Sequence, residues 1–102
     1  MGIYSIPKEM QAVLWSVDVS HLEIEKDKRY IIHQILSYGR MEDFKWVFRV
    51  YPKEEIIKVF TTFPYKDYTQ SRFYFVKNFL LSLKNKSLNE KYYVKNIPRD
   101  IR

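Results

Sequence analysis

The chain has 102 residues, no cysteine, two glycines and four prolines, with a hydrophobic fraction of 46%, an aromatic fraction of 18% and a formal net charge of +6. That length sets an expectation of one domain with one modest core, and the apolar content excludes a disordered chain. Without cysteine there is no disulfide, no thiolate nucleophile and no cysteine-based zinc site.

Few glycines and prolines favour a few long helices over many short strands. No apolar run reaches the roughly 20 residues of a membrane span. The N-terminus lacks the basic-then-apolar pattern of a secretory signal. The expectation is a soluble cytoplasmic protein with no membrane contact.

At the N-terminus, Pro7 suits the first turn of a short helix running from Lys8 to Leu14. Val13, Trp15, Val17 and Val19 then alternate with Leu14, Ser16, Asp18 and Ser20, which is strand period. Nothing later alternates as cleanly to pair with such a strand. The reading is a short helix followed by an extended segment that plugs the core with Trp15.

Residues 25–38 read as a helix. Ile24, Ile31, Ile35 and Tyr38 share one stripe, with Ile32 and Leu36 beside it. Glu25 and Asp27 fall in its first turn, at the favourable end of the dipole. Gly39 is expected to end it in the left-handed conformation. Residues 41–51 form the next helix, with Phe44, Val47, Phe48 and Tyr51 at i, i+3, i+4 and i+7. Pro52 stops that helix and suits the start of another over 53–62, which carries Ile56, Ile57, Val59 and Phe60.

After a short loop from Pro64 to Tyr68, a helix over 70–83 is capped by Thr69. On α-helical spacing its core stripe is Phe73, Val76, Leu80 and Leu83, widened by Phe79, with Tyr74, Phe75 and Leu81 around the rest of the cylinder. A helix this apolar all round is either central or covers a partner.

Residues 84–102 lose periodicity at Asn85, Asn89 and Pro98, and Tyr92-Tyr93-Val94 reads as a short extended segment lying back on the bundle. This segment carries six cations against two acids, a net +4, which leaves +2 for the other 83 residues. The fold class is therefore all-α: a small bundle of four main helices with an αα-hairpin at its centre. Residues 1–83 form the helical domain and 84–102 an irregular basic C-terminal arm. The expected core is Trp15, Ile31, Ile35, Phe44, Val47, Phe48, Ile56, Phe60, Phe73, Val76 and Leu80.

The residues that could carry chemistry are few. His21 and His33, the two histidines, stand twelve apart, and no HxxxH or HExxH spacing exists. The two glycines, Gly2 and Gly39, cannot build a phosphate loop, and there is no GxSxG elbow. The carboxylate pairs Glu42-Asp43 and Glu54-Glu55 sit at helix starts, where the dipole accounts for them. The expectation is a protein that is not an enzyme and takes no metal or cofactor.

A helix-turn-helix would use 53–62 for recognition, but Lys53, Glu54 and Glu55 would turn net negative charge on the phosphates. The tail is the better nucleic-acid candidate, with Lys84, Lys86, Lys91, Tyr92, Tyr93, Lys95, Arg99 and Arg102 interleaving cations and rings. Against it stands the simpler reading that the tyrosines pack on the bundle and the lysines solvate the chain. The candidate protein-interface residues are Trp46, Tyr74, Phe75 and Leu81. Trp46 lies off the apolar stripe, so it either packs on the preceding helix or anchors an interface.

At LWSVDV, KRYIIHQILSYG and MEDFKWVFRVYPKEEIIKVF the chain resembles a family of short uncharacterised prokaryotic proteins. The residues that carry the likeness are Leu14, Trp15, Asp18, Ile31, Ile32, Gly39, Asp43, Trp46, Tyr51 and Ile56, within about residues 13–63. Pro52 stands where that pattern has Gly, and Ser16 where it has an acidic residue. Members of the family are often encoded beside nucleotidyltransferase toxins of the abortive-infection type. The resemblance thus implies an antitoxin-like or accessory role, exercised on a protein partner or in a homo-oligomer, with nucleic acid as the alternative partner.

Overall fold

The computed structural model describes residues 6–14 and 19–95. The expected extended segment around Trp15 lies mostly outside those residues, as do Arg99 and Arg102. The described residues form four α-helices and no β-strand: α1 (Lys28–Tyr38), α2 (Met41–Val50), α3 (Lys53–Thr62) and α4 (Gln70–Phe75). Short 3-10 turns occupy Lys8–Ala12, Val19–His21 and Glu90–Tyr92, the first in place of the expected N-terminal helix. No helix among these residues is long and apolar enough to cross a membrane.

The central element is α1 rather than the α2–α3 pair. Seven consecutive residues, Ile31 to Ser37, are buried, so this helix is enclosed on all sides through its middle. Each of the other three helices packs against it, and α2 and α3 meet α1 more than they meet each other. Its buried polar groups are all satisfied: Gln34 donates to the Val13 carbonyl at 3.0 Å and Ser37 to the His33 carbonyl at 2.6 Å. Burial without such partners would cost about 1–3 kcal/mol per group.

The helix ends show what local chemistry decides. Thr69 Oγ1 accepts the Arg72 N–H at 3.2 Å, the expected cap of α4. Asp43 reaches back to the Arg40 N–H at 2.9 Å at the start of α2. Tyr51 is extended and Pro52 follows it into α3, as the proline requires. The start of α1 differs from expectation. Glu25 and Asp27 precede the helix, and the Asp27 carboxylate accepts the Glu23 N–H at 2.8 Å, closing the turn before it.

Gly39 also differs from expectation. Its φ of −74° is ordinary, so left-handed geometry does not explain it. A Cβ there would lie 2.6 Å from the Ile35 carbonyl oxygen and 3.0 Å from Asp43 Cβ. Glycine is needed because α2 leaves α1 at close quarters.

A ring cluster holds the second half of the chain to the first. Phe60 packs on Tyr68, Phe73 and Tyr93, with centroid separations of 5.7, 6.1 and 4.9 Å. The Tyr93 hydroxyl donates to the Phe60 carbonyl at 2.8 Å. Backbone bonds from Tyr68 N–H to Tyr93 O and from Lys95 N–H to Tyr68 O make one parallel bridge, so residues 93–95 lie along the loop after α3. Tyr93 and Val94 belong to the same buried core as the helices. Of the expected core residues, Phe48 and Leu80 are only partly buried, and the other described ones are fully inside.

His33 is enclosed within this cluster. Its Nε2–H donates to the Phe63 carbonyl at 2.7 Å and its Nδ1 accepts from the Tyr68 hydroxyl at 2.7 Å. The Phe63 carbonyl can only accept, which puts the hydrogen on Nε2, and the neutral ring that burial favours leaves Nδ1 as the acceptor. Burial pushes the His33 pKa from 6.5 to about 4, with the Phe63 carbonyl opposing the shift.

After α4 the chain changes helical pitch without a break. Val76–Leu80 is a π-helical turn, closed by the Leu81 N–H on the Val76 carbonyl at 2.9 Å. An α-helix advances about 100° per residue and a π-turn roughly 82°, so five residues fall behind by about 90°. Leu81 thereby takes the core position that α-helical spacing assigns to Leu80, and it is fully buried. Phe79 swings out of the core side to the azimuth of Phe75. Ser82 then adopts φ 56° and the Leu83 N–H closes on the Lys77 carbonyl at 2.7 Å.

Two predictions follow from this packing. His33 binds a proton more readily unfolded than folded, so stability falls as pH drops below 6.5 toward 4. Between pH 7 and 5 the loss from this residue is about 2 kcal/mol. Urea unfolding at the two pH values checks it, and an NMR titration of the His33 ring with a midpoint near 6.5 would refute it. Deleting Asn78 should restore α-helical register and turn the closure on Lys77 into an ordinary Schellman motif. The variant is expected to stay folded with stability within about 1 kcal/mol of the parent, as read by thermal unfolding.

Candidate functional site

The feature that the core does not absorb is a ledge of rings at the α2–α4 side of the molecule. Phe79 is 70% exposed, Met41 58% and Phe75 37%. Phe75 and Phe79 lie 6.4 Å apart, and Phe75 rests 6.1 Å from the buried Phe44 of α2. Met41, exposed one turn before Phe44, adds apolar surface at the start of α2. Phe75 and Phe79 are four apart, so helical spacing already sets them near one face, and the π-turn carries Phe79 further from the core side.

Of the four expected interface residues, Phe75 stands on this surface and Tyr74 is exposed beside the C-terminal segment. Tyr74 and Phe75 are exposed, and the Tyr74 hydroxyl donates to the Glu90 carboxylate, which raises its pKa. Trp46 and Leu81 are buried in the core. Trp46 packs within the bundle, and Leu81 is carried inward by the change of pitch. Met41 and Phe79 are the members that sequence reasoning misses. The stripe at 73, 76 and 80 draws Phe79 inward on paper, and no residue type announces a π-turn.

The expected basic residues divide in the same way. Lys84, Lys86, Lys91 and Tyr92 are exposed. Tyr93 is buried with its hydroxyl committed to Phe60, so its ring has no free face for a base. Lys95 is engaged as well: its Nζ donates to the Tyr38 hydroxyl at 2.6 Å and stands 3.3 Å from Asp67 Oδ1. The Tyr38 hydroxyl in turn donates to Asp67 at 2.8 Å, so the three groups tie residue 95 to α1 and to the loop after α3. Arg99 and Arg102 lie outside the described residues.

Two other polar groupings are accounted for by structure. Lys28 at the start of α1 pairs with Glu55 of α3, which raises the lysine pKa and lowers the glutamate's. His33 is saturated by its two partners and stacks on Tyr65 at 5.2 Å. Among the described residues no three His, Asp or Glu side chains converge as metal ligands would.

No curated protein and no solved structure matches the chain. Residues 10–60, from the first turn to the end of the α3 core stripe, match the family of unknown function DUF6922, and with half of its length matched the chain belongs to that family.

Proposed function

We propose that this protein is a non-catalytic protein-interaction module of the cytoplasm that works by covering a partner. The observation that carries the reading is the exposed apolar surface of Met41, Phe75 and Phe79, the last of them on a π-helical turn. Exposed apolar patches of this kind mark interaction surfaces, and π-turns recur at functional positions. Helices α2 and α4 at the ledge, both packed on α1, would offer a firm platform for a docked element. The family resemblance at residues 13–63 supplies the partner class: a nucleotidyltransferase toxin of the abortive-infection type, bound in an antitoxin-like manner.

Co-expression with such a toxin from the same organism is expected to restore growth. The double variant Met41→Asp and Phe79→Asp should abolish the rescue. Both side chains are mostly exposed, so stability should change by less than about 1 kcal/mol. Undiminished growth arrest with the parent chain, or full rescue by the variant, would overturn the reading.

A second reading rests on a different observation. Lys84, Lys86, Lys91 and Tyr92 are all exposed on the basic C-terminal arm, as backbone binding of nucleic acid would use them. Anisotropy of a labelled single strand should then fall steeply with salt, and removal of the three lysine charges by Lys→Gln substitution should flatten the slope by about three counterions' worth. A salt-independent signal, or none at low salt, would remove this reading.

A further inference from the structure

We infer that the partner element seated on the ledge is an acidic amphipathic helix, an inference that rests on the interaction-module reading and names its partner chemistry. Between Tyr68 and Asn89 the chain carries Arg72, Lys77, Lys84 and Lys86 and no Asp or Glu. The helix that bears the exposed rings therefore has no carboxylate of its own. On the α2 side, exposed Arg40 and Lys45 flank Met41. The acids nearby are few. They are Glu42 beside Met41, Asp43, which accepts the Arg40 N–H, and Glu90, which accepts from the Tyr74 hydroxyl and Gln70, and they are outnumbered by the cations.

The shape of the ledge suits a helix. Phe75 and Phe79 are four residues apart and rest against each other, Phe75 touches Phe44 of α2, and Met41 is exposed one turn before Phe44. An amphipathic helix docks through anchors at i, i+3 or i+4 and i+7 along such a surface. Carboxylates flanking its apolar stripe would then face Arg40, Lys45, Lys84 and Lys86. A second copy of this chain is disfavoured at this face, because two such ledges would set cation against cation.

A single nucleic-acid strand fits less well. The cations nearest the rings are committed: Arg72 Nη1 donates to the Leu36 carbonyl at 2.8 Å, and Lys77 is buried with its Nζ toward Asn78 and the Lys84 carbonyl.

The test uses the full chain and short labelled helical peptides with leucines at helical spacing and glutamate, glutamine or lysine at the remaining positions, alongside labelled oligothymidylate. The glutamate peptide is expected to bind at least about tenfold more tightly than the lysine peptide, and more weakly as salt rises. Met41→Asp with Phe79→Asp should weaken it by about tenfold or more, and Lys45→Glu with Lys84→Glu should erase the preference for glutamate. Equal binding of the glutamate and glutamine peptides, lost in the Met41/Phe79 variant, would overturn the acidic assignment and leave the interaction module standing. Failure of every peptide to bind would overturn both. Tighter binding of oligothymidylate than of the glutamate peptide would assign the ledge to nucleic acid and overturn this inference.

Discussion

The hydrogen bond from the Leu81 N–H to the Val76 carbonyl sets the phase of the last helical segment, and much of the molecule follows from that phase. With Leu81 turned inward, the core closes over α1. With Phe79 turned outward beside Phe75, the surface keeps an apolar ledge that no part of the described chain covers. One extra residue in one turn thus separates what stabilises the fold from what is left for a partner. The unusual φ of Ser82 belongs to the same device, because the chain must reverse sharply to bring Leu83 back to Lys77. A non-glycine residue in that conformation carries a steric cost of about 1–2 kcal/mol, and a serine there is a concession to the closure.

The other organising interaction is buried. His33, on the helix that every other helix touches, holds the loop after α3 through Phe63 and Tyr68. Tyr68 then carries the backbone bridge to Tyr93 and Lys95. The C-terminal segment is therefore anchored through a neutral imidazole, a phenol and a bridge, with Phe60 and Phe73 packed around them. Buried networks of this kind are rigid when fully satisfied and costly when one partner is lost. The tie among Lys95, Asp67 and Tyr38 repeats the connection at the surface.

Much of this was legible in the sequence where short-range chemistry decides. Pro52 separates two helices as its ring demands, Thr69 caps the last one, and the stripes on α2 and α3 face inward as their spacing indicates. The failures are of two kinds. Gly39 was legible as a helix end but for the wrong reason, since close approach to Ile35 and Asp43 depends on how two helices meet. Phe79 and Leu81 went to the wrong faces because their burial depends on a change of pitch, and Tyr93, which packs on the bundle as the simpler reading of the tail had it, is held there by a bridge between Tyr68 and Val94, 26 residues apart. Neither leaves a periodic trace. The ledge is therefore partly visible from sequence, through Phe75, and its most exposed ring is not.

The pitch of residues 76–80 joins the fold to the proposed function, so it is the point at which the account is most exposed. The most direct test is a set of side-chain NOEs from the full chain in solution. The account predicts contacts between the Phe75 and Phe79 rings, contacts from the Leu81 methyls to the buried rings of the core, and no contact between Phe79 and Phe60. A Phe79 ring in contact with Phe60, with the Leu81 methyls facing solvent, would show an unbroken α-helix and contradict both the assigned ledge and the function built on it.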